Sequence, residues 1–256
     1  MLEEKAKKIR RNCLTYVAAA KSSHIGSMLS IADILAYLFY REMKKEDRFV
    51  LSKGHSSLAL YSILADKGTI SEEMLKTYYQ NGSCLIGHLN HKVPGVSVST
   101  GSLGHGLPLA EGMALAGKID RKKSKIFCLI GDGECQEGSV WESLIFTSRH
   151  DLKNLIIIID ANKLQGYDFC ENVFPEKRLI EMLKATGLNF YEINGHDFSE
   201  MENTFKKIEN SKNEKASIIF AHTIKGKGIS FMENKLEWHY KSPDPEQLKC
   251  ALSELK

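Results

Sequence analysis

The sequence predicts an α/β domain, a mostly parallel sheet flanked by helices. Three observations carry that expectation. Short apolar segments of strand length occur at Phe49–Leu51, Ile126–Ile130, Leu155–Ile159, Phe190–Ile193 and Ser217–Ala221, and Ile126–Ile130 and Leu155–Ile159 are rich in β-branched residues. Helix-length stretches lie between them. From Ile126 onward the two types alternate, the pattern of parallel strands joined by crossover helices.

The N-terminal part is helical. MLEEKAKKIRRN opens a charged helix over Glu3–Ala20 and lacks the apolar core of a signal peptide. A second helix covers Ile31–Phe39, and after the strand Phe49–Leu51 come helices Leu58–Asp66 and Ser71–Tyr79. The loop Gly82–Gly104 then holds His88, His91, Gly101 and Gly104, and loops beyond about fifteen residues without regular structure are commonly functional. Leu107–Gly117 is a small-residue helix, and Gly106, Ala110, Gly112, Ala114 and Gly117 permit close approach of helices, inside the core or across a subunit boundary. Strand Ile126–Ile130, a helix-length stretch Glu134–Arg149 and strand Leu155–Ile159 make one βαβ unit. Helix Lys177–Thr186, strand Phe190–Ile193, helix Phe198–Asn210 and strand Ser217–Ala221 complete the alternation.

With 43% hydrophobic residues, a chain of 256 suffices for a substantial core. It contains only five prolines, with no Ser/Gly-rich tract and no repeat, so 1–256 reads as one domain. No apolar run is long enough to span a bilayer, which together with the charged N-terminus predicts a cytoplasmic protein with no membrane role. Six scattered cysteines include no C-x-x-C pair, as expected of a reduced compartment without a cysteine-based zinc site. Cys135 reads as a packing residue. A formal charge of +3 and a pI near 8.4 do not point to nucleic acid. The basic run Arg121–Lys125 (RKKSK) reads as a solvated loop, with steering of phosphorylated substrates as the less ordinary alternative.

The βαβ unit also carries chemistry. A Gly-Asp-Gly turn follows its first strand, and Asn162 follows the second, thirty positions beyond Asp132. Parallel strands present their C-terminal ends on one side, so Asp132 and Asn162 are expected side by side at the rim where open α/β sheets hold ligands. An Asp, an Asn and a backbone carbonyl near Leu164 begin the oxygen octahedron of Mg²⁺, and a diphosphate suits the remaining positions. Gly131 and Gly133 permit the tight turn and let phosphate approach the N–H groups at the following helix start, making Gly133 a phosphate contact. The ordinary alternative is a plain strand-to-helix turn with Asp132 as N-cap.

Five ordered blocks along nearly the whole chain resemble the transketolase family: KSSHIGS (Lys21–Ser27), LSKGHSSLALY (Leu51–Tyr61), GHLNHKVPGVSVSTGSLGHGL (Gly87–Leu107), the GDG-to-Asn block, and HTIKGKGISFMEN-KLEWH (His222–His239). In particular the chain resembles the N-terminal, thiamine-diphosphate-binding subunit of a split transketolase. The resemblance implies a thiamine-diphosphate-binding fold, thiamine diphosphate with Mg²⁺ (Ca²⁺ or Mn²⁺ substituting), and transfer of a two-carbon ketol unit from a ketose to an aldose. It assigns the metal to Asp132, Asn162 and Leu164, and cofactor contacts to Ser27, His55, Gly101, Ser102, Leu103, Gly133, Glu134, Asn162, Lys225 and His239. His24 and His239 are implied as the groups that remove the proton from the donor's C3 hydroxyl, with His88 on the C1 hydroxyl. Imidazole suits such proton traffic near neutral pH, and His88 and His91 lack the partners a zinc site needs. Taken singly, each histidine reads as a surface or hydrogen-bonding residue, and Gly101 and Leu103 as a turn with a core leucine.

Cofactor activation in this family needs a glutamate and stacking aromatics of a pyrimidine-binding domain, which the resemblance places on a C-terminal transketolase subunit. Glu137 matches a glutamate at the subunit boundary that couples to that one; its ordinary reading is a solvent-facing helix residue. The expectation is a chain inactive alone and active in an α₂β₂-type heterotetramer on sugar or sugar-phosphate substrates. Two other readings are an α subunit of a thiamine-diphosphate 2-oxoacid dehydrogenase or decarboxylase, and a non-catalytic regulatory subunit. Tyr240, where Gly is expected, and Ile25, where Pro is common, depart from the family, and a bulky ring beside His239 is expected to reshape the pocket.

Overall fold

The computed structural model describes residues 1–255. Its sheet is made of β1 (Arg48–Leu51), β2 (Ile126–Gly131), β3 (Leu155–Ala161), β4 (Asn189–Asn194) and β5 (Ser217–His222), every neighbouring pair parallel, in the order β1-β2-β3-β5-β4. The helices are α1 (Leu2–Ala20), α2 (Ile25–Ser30), α3 (Ala32–Tyr37), α4 (Ser57–Asp66), α5 (Glu72–Leu75), α6 (Gly106–Ile119), α7 (Gly138–His150), α8 (Cys170–Val173), α9 (Glu176–Ala185), α10 (Phe198–Glu209) and α11 (Pro245–Glu254). Because side chains alternate along a strand, β3 feeds two cores at once. Ile156 and Ile158 pack with α1, α3, α4 and α10; Leu155, Ile157 and Ile159 pack with α6, α7 and α9. The sheet grows in one direction through β3 and β4, then β5 returns between them. That reversal carries α10 to the face opposite α9, as crossovers of constant hand require.

Several boundaries differ from the sequence expectation. The expected helix Glu134–Arg149 is broken: Gly133–Gln136 is a single 3-10 turn, Glu137 is extended, and α7 starts at Gly138. The Ile31–Phe39 region is preceded by a separate helix, α2, starting after His24 and ending at Ser30. Ser30 Oγ bonds back to the Ser27 carbonyl and across to Asp160, which holds the chain at the junction of α2 and α3. Of Ser71–Tyr79 only α5 is α-helical, and Tyr79 ends the segment in the left-handed region. The C-terminal helix α11 lies outside the sequence expectation, although Asp244, Pro245 and Gln247 spell a capping box with Pro in the first turn.

Residues 82–104 form no helix or strand; an isolated bridge joins Leu89 to Thr100, and Thr100 Oγ1 and the His88 carbonyl bond to Leu51 and Tyr61. The small-residue helix α6 packs inward with Gly106, Ala110, Ala114 and Gly117, while Gly112 faces open space. The Arg121–Lys125 run precedes β2, so it lies at the end of the sheet opposite the strand tips that carry Asp132 and Asn162. No helix among the described residues is long and apolar enough to cross a membrane.

Candidate functional site

The register fixes what meets at the C-terminal edge. Gly131 pairs with Asp160, and Ala161 with His222, so the loops that follow, carrying Asp132, Asn162 and Thr223, leave the sheet together. Next to them β1 runs into the Gly54–Ser56 turn with His55. Gly54 is required there: a Cβ would fall 2.4 Å from the Thr100 carbonyl oxygen. That contact seats the end of the 82–104 loop on the strand tips, and Gly101 in turn lies against His88, where a Cβ would be 2.9 Å from the ring.

These elements enclose a cavity of about 410 Å³. Of the residues singled out from sequence, His24, Ser27, His55, His88, Gly101, Leu103, Asp132, Gly133, Glu134, Glu137, Asn162, Leu164 and His239 all contribute to its wall. Ser102 and Lys225 do not. Ser102 is exposed on the loop. Lys225 is fully buried behind the wall, its Nζ donating to the Leu164 carbonyl (3.1 Å) and lying 2.8 Å from His239 Nδ1. Four histidines surround one opening: the His24 ring centroid is 5.1 Å from His55, 5.9 Å from His88 and 4.9 Å from His239. Burial first, then the charges of His88, Lys225 and Lys53, push the His24 imidazole down to about 4. His239 falls to about 3, with burial as the leading cause, and burial also lowers His55 and His88.

A direct check is an NMR pH titration of His24 in the cofactor-free protein. The midpoint should lie near 4, where an open ring would titrate near about 6.5; binding of an anion should move it up by offsetting the lysine charges.

The part of the wall around Asp132 and Asn162 is set on buried charge. Asp160 is 0% exposed and accepts from Lys53 Nζ, Ser30 Oγ (2.8 Å), Asn162 Nδ2 (2.8 Å) and Thr223 Oγ1. Asp132 accepts from two backbone donors, Gly133 N (2.8 Å) and Lys163 N (2.6 Å), the first making it the N-cap of the 3-10 turn, and the Cys170 thiol also interacts with it. Burial and then the neighbouring Asp160 charge push its carboxyl up to about 6. A carboxylate under-compensated in this way, beside an amide oxygen at Asn162 and the Leu164 carbonyl, fits a hard divalent cation. Among the described residues no three His, Cys, Asp or Glu side chains are grouped as a metal site. A cation here would therefore draw on amide and carbonyl oxygens and on a ligand's phosphate, the preference of Mg²⁺. The Leu164 carbonyl already accepts from Lys225, so its share must come from the second lone pair.

Glu134 is committed elsewhere. Its carboxylate accepts from Ser52 Oγ, Gly104 N (2.8 Å) and Gly131 N (3.1 Å), tying the 82–104 loop to the GDG turn from inside the wall. Glu137 is exposed at the rim beside Gly104. Cys135 is buried, as its packing role requires. Ile25 is buried in the core, and Tyr240, 65% exposed, packs against Gly166 and His239, two residues of the cavity wall, without lining the cavity itself. Sequence reasoning missed Lys53, Asp160 and Gln165. Lys53 stands inside the LSKGHSSLALY block; Asp160, a charge ending the apolar run of β3, was the available signal for a buried pair. Gln165 lines the cavity with its Nε2 buried and unpartnered, next to the position a Gly133 Cβ would take.

A family model described as the transketolase thiamine diphosphate binding domain matches residues 2–250. An apulose-4-phosphate transketolase subunit of Actinobacillus succinogenes is 40% identical over 266 residues, covering 100% of this chain and 96% of its own. The 6-deoxy-6-sulfo-D-fructose transketolase subunit of a Clostridium strain is 37% identical, covering 100% and 96%. The crystal structure of Campylobacter jejuni transketolase superposes with a TM-score of 0.93 at 32% identity, over 99% of this chain but 42% of that one. The chain thus matches relatives named as subunits along nearly their whole length and about two-fifths of full-length transketolases. By this match and by its cavity, the chain belongs to the transketolase family, as a thiamine diphosphate binding domain.

Proposed function

We propose that this chain is the diphosphate-binding subunit of a two-subunit transketolase, transferring a two-carbon ketol unit from a ketose to an aldose with thiamine diphosphate and Mg²⁺. The observation that carries this reading is the four-histidine cluster sharing one cavity with Asp132 and Asn162. The relatives' naming as subunits supports a partner chain. We assign that partner as a C-terminal transketolase subunit bearing the pyrimidine-binding domain, assembled as an α₂β₂ heterotetramer in the cytoplasm. Residues 1–256 then act as one diphosphate-binding domain.

The cofactor, once bound, supplies the carbanion chemistry at its thiazolium ring. The protein's own residues do the rest. Asp132, Asn162 and the Leu164 carbonyl hold the cation, Gly133 lets phosphate approach the turn, and Ser27, His55, Gly101 and Leu103 shape the wall against the cofactor. His24 accepts the proton from the donor's C3 hydroxyl; His239, whose Nδ1 takes the Lys225 ammonium and whose Nε2 therefore carries the hydrogen, orients that hydroxyl as a donor, and His88 binds the C1 hydroxyl. An imidazole with so low a pKa is a weak base, which suits it first to orienting hydroxyls. The phosphate charge that offsets Lys53 and Lys225 raises its basicity when the site is loaded. Glu137 at the exposed rim faces the partner. A 2-oxoacid donor has no polyhydroxyl chain to use four imidazoles, which favours a sugar, and the retained Asp132, Asn162 and histidines speak against a non-catalytic subunit.

The test is to co-purify the chain with its bound protein and screen ketose donors against aldehyde acceptors with thiamine diphosphate and Mg²⁺. The chain alone should be inactive and the assembly active. A stably bound partner with no ketol transfer from any ketose, or turnover of a 2-oxoacid instead, rejects the reading.

A further inference from the structure

On the side of the sheet packed by α1, α3 and α10, a chain of polar groups that the chemistry above does not use runs from α1 to the loop after β5. Arg10 of α1 grips Asp33 of α3 with both terminal nitrogens, Nη1 at 3.0 Å from Oδ1 and Nη2 at 2.5 Å from Oδ2. Both residues are buried. Asp33 Oδ2 also lies 2.6 Å from Nδ1 of His196, in the turn after β4. The other ring nitrogen, Nε2, is 2.9 Å from the backbone nitrogen of Ile224. That amide can only donate, so Nε2 must be the unprotonated acceptor and Nδ1 must carry the hydrogen that goes to Asp33. One tautomer of one ring is thereby fixed from both sides.

Ile224 immediately precedes Lys225, whose backbone is otherwise held by Asn234 N on its carbonyl and whose Nζ meets Leu164 O and His239 Nδ1. We infer that His196, locked in its Nδ1–H form by the Arg10–Asp33 pair, is a positioning residue: it sets the Ile224 amide, and through it places the Lys225 ammonium behind the cavity. The inference rests on the proposed cofactor site and extends it by a contact chain that never touches the ligand. Loss of the acceptor frees the Ile224 N–H, lets the 223–226 segment shift, and misplaces the one ammonium that orients both Leu164 and His239.

The experiment has two arms, both on the full chain. In the first, without cofactor, amide hydrogen exchange is followed at Ile224 in the wild type, His196→Ala and His196→Gln. Gln restores an acceptor near the Nε2 position and lacks the Asp33 contact. Exchange should accelerate at least tenfold in the Ala variant and return most of the way with Gln. In the second, thiamine diphosphate affinity of the assembled enzyme in Mg²⁺ is measured for His196→Ala, Lys225→Met and the double variant. The single His196→Ala should weaken binding about tenfold, and in the Lys225→Met background it should add less than twofold. Unchanged Ile224 exchange in His196→Ala, or fully multiplicative losses in the double variant, overturns the inference. If the wild-type assembly binds no thiamine diphosphate, the cofactor site itself is wrong, a result distinct from either.

Discussion

Lys53→Met should cost about 3–5 kcal/mol of folding free energy, the range for removing one partner of a buried ion pair. Lys53 is 1% exposed and Asp160 0%, so water cannot take over the lost partner. Burial raises the Asp160 carboxyl, and the Lys53 charge, with its hydrogen bonds, more than reverses this and holds it below the usual range. With Lys53 gone, Ser30, Asn162 and Thr223 still donate, but they are neutral and Asp132 remains nearby as a like charge. Since domains keep only about 5–15 kcal/mol in total, the variant should be soluble only in part. Adding Asp160→Asn should recover most of the loss, because the uncompensated charge, more than the missing attraction, is the cost. Guanidinium unfolding of the single and double variants measures both; a Lys53→Met loss below about 1 kcal/mol would show that the pair is solvated.

The contrast between what sequence revealed and what it hid follows from range. The strands were legible because Ile126–Ile130 and Leu155–Ile159 are continuous apolar runs, the signature of strands covered on both faces. The rim was legible for the same reason: once the two strands are parallel, Asp132 and Asn162 must emerge together. The break between Gly133–Gln136 and α7 was not, since nothing in GECQEG forbids a helix; it arises where Glu134 turns inward to accept from Ser52, Gly104 and Gly131. The α2–α3 junction likewise depends on Ser30 finding Asp160, far away in sequence. Lys225 illustrates the limit of motif transfer. Its block placed it at the site, and the fold adds that its ammonium is spent on Leu164 and His239 behind the wall.

Asp132→Asn should separate stability from function in opposite directions. In the metal-free protein the Asp132 carboxyl is pushed up to about 6 from 3.8 by burial and by Asp160. The folded state therefore holds a proton that the unfolded chain releases between about pH 4 and 6. Stability falls as pH rises through that window, and at pH 7 the full cost of the buried charge stands, about 3 kcal/mol at most. Asn removes it. The amide can accept from only one of Gly133 N and Lys163 N, which returns about 1 kcal/mol of the gain. Thermal unfolding in a chelator should thus show Asp132→Asn more stable than the wild type by about 3–6 °C at pH 7, with the difference shrinking toward about pH 4. The same substitution removes the one formal charge offered to the cation. Mg²⁺-dependent affinity of the assembled enzyme for thiamine diphosphate should drop at least about 100-fold, and with Asn162→Ala added, ketol transfer should be undetectable. If Asp132 holds the cation as proposed, binding relieves the buried charge, and wild-type Tm should rise with Mg²⁺ and cofactor while that of Asp132→Asn should not. Retention of Mg²⁺-dependent cofactor binding in the double variant would remove Asp132 and Asn162 from the metal site.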